Sequence, residues 1–142
     1  MAHRVLILAA TTISLLAAIP ASAIEPTTVA RRVEQSMVRI IVEGPDGIAG
    51  ASGFIVSRQG HIATAYHVVQ PHIDQGWDLF VVESGAAPEA RRAAIVVQAF
   101  PDEDLAVLKV DGLERPPVML SESAPDTLAK GTTLFAIGYP GA

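Results

Sequence analysis

Gly53-Phe54-Ile55-Val56-Ser57-Arg58-Gln59-Gly60-His61-Ile62-Ala63-Thr64 sets two short apolar runs on either side of one turn signal. Gly53 to Ser57 and His61 to Thr64 are too short for helices and rich in β-branched or aromatic residues, so both read as strands. Arg58-Gln59-Gly60 joins them closely, with a glycine able to take the positive φ that a tight reversal needs. Neighbours linked this way must pair antiparallel.

The same texture extends outward in both directions. Upstream, Val38 to Val42 is a strand reached through a second hairpin signal, Pro45-Asp46-Gly47. Downstream come Leu79 to Val82, Ala93 to Phe100, Leu105 to Val110, Val118 to Leu120 and Thr132 to Ile137. Short strands at near-regular spacing, without long helices between them, predict an all-β barrel or sandwich in place of a βαβ fold. Ser84 to Arg92 reads as an exposed loop and Asp111 to Pro117 as a connector between two halves. There is no internal repeat and no low-complexity tract.

The chain start has a different character. Arg4 precedes an apolar run from Val5 to Ile19, followed by Pro20 and the small residues Ala21-Ser22-Ala23. That pattern predicts a secretory signal peptide over 1–23, cleaved after Ala23. The run is short for a membrane span and nothing later replaces it, so the mature chain is expected to be soluble, in the periplasm or secreted. Within 24–37, Val29, Val33 and Met37 recur every four positions among Arg31, Arg32 and Glu34, which predicts a short amphipathic helix. The remainder is the size of one ordinary domain.

Composition excludes several kinds of chemistry. The formal charge is -5, from 10 basic and 15 acidic residues, and no dense Lys/Arg cluster exists to neutralise phosphates, which argues against nucleic acid as a partner. With 0 cysteines, disulfides, thiol catalysis and cysteine-based metal sites are ruled out.

Four stretches, taken together and in order, carry a family resemblance. They are Ser52-Gly53-Phe54-Ile55-Val56-Ser57, Thr64-Ala65-Tyr66-His67-Val68-Val69, Asp104-Leu105-Ala106-Val107-Leu108-Lys109 and Ala136-Ile137-Gly138-Tyr139-Pro140-Gly141. Their order and spacing resemble the trypsin-like serine proteases of the bacterial HtrA (high-temperature-requirement) type. The resemblance implies a chymotrypsin-like double β-barrel, with the first barrel complete over 38–112. Residues 113–142 would be the connector and the start of a second barrel that is only begun, its first strands left with unpaired backbone groups. It also implies His67 as the catalytic histidine and Asp104 as the catalytic aspartate. Both are expected on neighbouring loops of one sheet.

The chemistry explains the need for the pair. A serine hydroxyl is a poor nucleophile until a neutral imidazole accepts its proton, and a carboxylate holds that imidazole in the right tautomer. Histidine before aspartate before serine is the chymotrypsin order, unlike subtilisins or α/β-hydrolases. In the family the serine sits in a Gly-Asn-Ser-Gly-Gly stretch several tens of residues past the Ala-Ile-Gly motif. No such stretch occurs in this sequence. The expectation is a serine-type endopeptidase acting on polypeptide substrates whose nucleophile would follow Ala142, so that these residues alone are inactive. No cofactor or metal is implied, and a homo-oligomer of the full-length protein stays open. The rival reading is a noncatalytic binding or scaffolding protein that keeps the first barrel.

Other residues compete for these roles. Gly50-Ala51-Ser52-Gly53-Phe54 imitates a nucleophile elbow, but the elbow needs Gly at Phe54 and a strand-to-helix turn, so Ser52 reads as structural. Ser121 and Ser123 match no motif. Asp102 and Glu103 rival Asp104, yet only Asp104 abuts the apolar run. His61, His67 and His72 are not spaced as a short-range zinc motif. Tyr66 and Trp77 read as packing aromatics.

Overall fold

The computed structural model describes residues 25–121 and 128–139. The signal peptide expected over 1–23, together with Ser123, Pro140 and Gly141, lies outside the described residues.

The expected N-terminal helix is α1, Pro26–Glu34, with a proline in the first turn and Arg31 and Arg32 in the last. Both placements suit the helix: proline lacks an N–H that would go unbonded there, and cations complement the negative C-terminal end. It is shorter than 24–37, because Ser36 is already held by Ile55 N–H on its carbonyl and Met37 opens the first strand.

Seven strands follow: β1 (Met37–Gly44), β2 (Gly47–Ile55), β3 (His61–Thr64), β4 (Asp78–Glu83), β5 (Arg92–Ala93), β6 (Ile95–Phe100) and β7 (Leu105–Lys109). They form one antiparallel sheet in the order β5-β4-β1-β2-β3-β7-β6. The end strands β5 and β6 are separated along the chain by Ala94 alone. This short link makes the sheet curl so that its two ends come near each other at Ala94, although no ladder pairs β5 with β6. Ala94 is buried at this seam and its N–H bonds the Leu79 carbonyl at 3.0 Å.

The rolled sheet encloses the core. Val38, Ile40 and Val42 alternate inward along β1 and meet Ile55, Ile62, Leu79, Val81, Leu108 and Val110. Burying each such side chain stabilises by about 1.5–3 kcal/mol. Both hairpins form where the turn signals stand. Gly44 faces Gly47 across Pro45-Asp46, while Gly60, with φ of 83°, lets β2 return as β3. A Cβ on Gly60 would lie 2.3 Å from the Val110 carbonyl oxygen, so the position requires glycine twice over.

Three expectations need correction. The run Ala93 to Phe100 is broken at Ala94 into β5 and β6, since one straight strand could not serve both edges of the sheet. Val118 to Leu120 and Thr132 to Ile137 carry no ladder among the described residues. Val118 N–H does bond the Ile55 carbonyl at 2.8 Å, yet extended chain becomes a strand only when a second strand lies beside it.

The third correction concerns α2, Tyr66–Gln75, a helix absent from the expectations. Tyr66-His67-Val68-Val69 has strand-like composition and Pro71 reads as a breaker, which hid it. Tertiary contacts override both: Val69 is fully buried in the core and Gly76 ends the helix in the left-handed region at φ 71°, its N–H on the His72 carbonyl. His72 Nδ1–H donates to the Trp77 carbonyl at 2.5 Å, fixing the exit. No helix among the described residues is long and apolar enough to cross a membrane.

Candidate active site

His67 is the second residue of α2, not part of a loop, and Asp104 sits in the turn between β6 and β7. Strands β3 and β7 pair from His61 with Lys109 to Thr64 with Ala106, so the chain leaving β3 and the chain entering β7 emerge side by side. That register brings together two residues separated by 37 positions.

The imidazole Nδ1 lies 2.8 Å from Asp104 Oδ2, and His67 backbone N–H donates to Oδ1 at 2.9 Å. An ionised carboxylate only accepts, so Nδ1 carries a proton, and in the neutral form of the ring Nε2 is the nitrogen left with a lone pair. The His67 side chain is 70 % exposed and that of Asp104 52 %, leaving the ring open to a reacting group.

Asp104 has a second task. The N-cap of α2 is Ala65, which has no side chain to satisfy the first amides of the helix. Asp104 supplies the cap from the neighbouring turn before β7: its carboxylate takes His67 N–H and its carbonyl takes Tyr66 N–H at 3.1 Å. The backbone there has φ of 50°, a left-handed conformation that aspartate tolerates better than most residues. The His67 backbone amide, then its ring, its charge and the Tyr66 amide hold the Asp104 carboxyl below the ordinary value of 3.8, against a smaller opposing effect of burial.

The rival residues are otherwise engaged. Ser52 lies mid-strand in β2 opposite Arg39, not at a strand-to-helix turn, and its Oγ accepts Tyr139 N–H at 2.7 Å. His61 Nδ1 meets Ser57 Oγ at 2.7 Å and His72 faces Trp77, so the three histidines are dispersed over different partners. Asp102 and Glu103 are exposed in the turn before Asp104. Trp77 packs against the core and lies across Gly44, where a Cβ would come 2.2 Å from the indole. Sequence reading missed the contributions of Ala65 and Tyr66. Only the lack of a Ser, Thr, Asp or Asn cap before His67 could have signalled that another element must provide it.

A rolled antiparallel barrel that presents an exposed histidine hydrogen-bonded to aspartate is the first half of a chymotrypsin-like double barrel. A family model for the trypsin-like peptidase domain matches residues 51–142, and the chain belongs to that family as a member of HtrA type. It is similar to Protease Do-like 1, chloroplastic, of Arabidopsis thaliana, at 35% identity over 102 residues, covering 70% of this chain and 21% of that protein. Serine protease HTRA4 of Homo sapiens is 36% identical over 93 residues, covering 66% of this chain and 18% of that protein. A probable periplasmic serine endoprotease DegP-like of Ectopseudomonas mendocina is 37% identical over 89 residues, covering 63% of this chain and 17% of that protein.

Among solved structures, the crystal structure of Deg5 superposes with a TM-score of 0.58 at 27% identity, over 67% of this chain and 47% of that one. The serine endoprotease from Yersinia pestis shares the fold with a TM-score of 0.58 at 24% identity, over 70% of this chain and 34% of that one. The chain spans about a fifth of the length of these curated relatives.

Proposed function

We propose that this chain is the histidine- and aspartate-bearing half of an exported serine-type endopeptidase. His67 is its general base and Asp104 the group that orients it. In this reading a leader over 1–23 is removed, 38–112 form the first barrel, and 113–142 lead into a second barrel that supplies the serine, the oxyanion hole and the specificity pocket. The periplasmic relative supports a location in the cell envelope.

The single observation that carries the proposal is the hydrogen bond from His67 Nδ1 to Asp104 Oδ2 on a barrel of this family. A neutral Nε2 facing solvent is what a serine hydroxyl on a facing barrel needs as proton acceptor. The imidazolium formed would then be stabilised by the carboxylate and return its proton to the leaving amine. Without a nucleophile a triad loses on the order of a millionfold in turnover, so residues 1–142 alone should not cleave casein.

The test is active-site labelling of the full-length gene product with a fluorophosphonate. The expected outcome is labelling of a serine in a Gly-Asn-Ser-Gly-Gly stretch beyond Ala142, abolished by His67→Ala. Labelling that His67→Ala leaves intact, or a reading frame with no such stretch, would refute the proposal.

A further inference from the structure

We infer that Ser52 is a positioning residue, which ties the chain entering the second half of the molecule to the helix that carries His67. The inference rests on the peptidase reading. Neither the family resemblance nor the elbow-like sequence around Ser52 anticipates it.

Three contacts define the role. Ser52 Oγ accepts the N–H of Tyr139 at 2.7 Å, a tie spanning 87 residues. The carbonyl of the same residue accepts the Thr64 hydroxyl at 3.0 Å. Thr64 is buried, closes β3 opposite Ala106 of β7, and stands directly before Ala65, the N-cap of α2. One residue thus grips the returning chain with its side chain and the root of the histidine helix with its backbone.

Gly138 fits the same contact. A Cβ at this position would lie 3.1 Å from Ser52 Oγ, so the chain passes the hydroxyl at a distance that a side chain would crowd. The absence of a side chain at Gly138 suits this close approach to Ser52. The segment Thr132 to Tyr139 has no ladder of its own, so this contact holds chain that no sheet holds. Its physical consequence is a fixed distance between the first residues of the second half and the His67 imidazole. A nucleophile delivered from that half must meet Nε2 within hydrogen-bonding reach, and a displacement on the order of 1 Å costs about a hundredfold in rate.

Amide hydrogen exchange followed by NMR on the full chain tests the contact. Ser52→Ala should speed exchange of the Tyr139 amide about fivefold to tenfold, the range one net hydrogen bond commands, while Ser52→Thr restores protection. Core amides such as those of Ile40 and Leu108 should keep their protection in both variants, which separates loss of the tie from loss of the fold. Unchanged Tyr139 exchange in Ser52→Ala overturns the inference.

In the full-length gene product, Ser52→Ala should lower kcat by a comparable factor with KM unchanged and Ser52→Thr should recover it. An unaltered kcat overturns the coupling to His67. Failure of the peptidase reading is distinguishable, because it is registered by His67→Ala labelling and leaves the Tyr139 exchange experiment unaffected.

Discussion

Asp104 bears two loads at once, accepting His67 Nδ1–H and capping α2, and it does so with φ of 50°. Replacing it by asparagine keeps the size but offers an amide where a carboxylate oxygen stood, so the imidazole loses its reason to keep the proton on Nδ1. In the full-length gene product Asp104→Asn should lower kcat by about 10⁴-fold, the loss this replacement causes in triad proteases of the same class, measured by steady-state peptide hydrolysis. Alanine should also expose the first amides of α2, seen as faster exchange at Tyr66 and His67.

The depressed carboxyl of Asp104 fixes the direction of a pH effect. Its folded value lies below the ordinary 3.8, so its contribution to stability is present above that value and is lost as pH falls through the lowered folded value. Protection of the Tyr66 and His67 amides should hold from neutrality down to about pH 4 and fail only in stronger acid. Loss of that protection between pH 7 and 5, with the core intact, would contradict the assignment.

Among the elements, the hairpins were the most legible. Pro45-Asp46-Gly47 and Arg58-Gln59-Gly60 declare their geometry locally, because positive φ and short reversals depend on a few adjacent residues. Helix α2 was not legible for the opposite reason. Val68 and Val69 favour a strand locally, and the decisive facts, burial of Val69 in the barrel and a cap donated by Asp104, come from elements far along the chain. The fates of Val118 to Leu120 and Thr132 to Ile137 were misjudged similarly, since an apolar run announces a face to bury but not a neighbour to pair with.

Trp77 shows how closely α2's exit is fitted to the sheet. Gly44→Ala would drive a methyl into the indole, whose nearest atom is 2.2 Å from the new Cβ, and should destabilise the fold by about 1–3 kcal/mol. Chemical denaturation checks this, and an unchanged midpoint would mean that the ring is free to move aside. Ile62, fully buried in β3, should cost about 2–5 kcal/mol when cut to alanine, by the same measurement.

On the scale of the whole molecule, one seam organises everything else. Because β5 and β6 meet at Ala94, the sheet must roll, and within it the direct pairing of β3 with β7 places the end of β3 beside the start of β7. The histidine and the aspartate are then neighbours by topology, whatever their separation in sequence. The candidate pair itself was legible, since His67 and Asp104 sit in distinctive motifs. What the motifs did not contain was the division of labour around the pair, in which Asp104 secures a helix and Ser52 secures the chain beyond the barrel.

Nitrogen-15 NMR of the His67 imidazole in the folded chain near pH 8 reports directly on the barrel's capacity to present a proton acceptor. In the neutral form of the ring the proton is expected on Nδ1 and not on Nε2, with that preference lost in Asp104→Asn. A ring protonated at Nε2, or one whose tautomer ignores the Asp104 substitution, would contradict the proposed role of the pair.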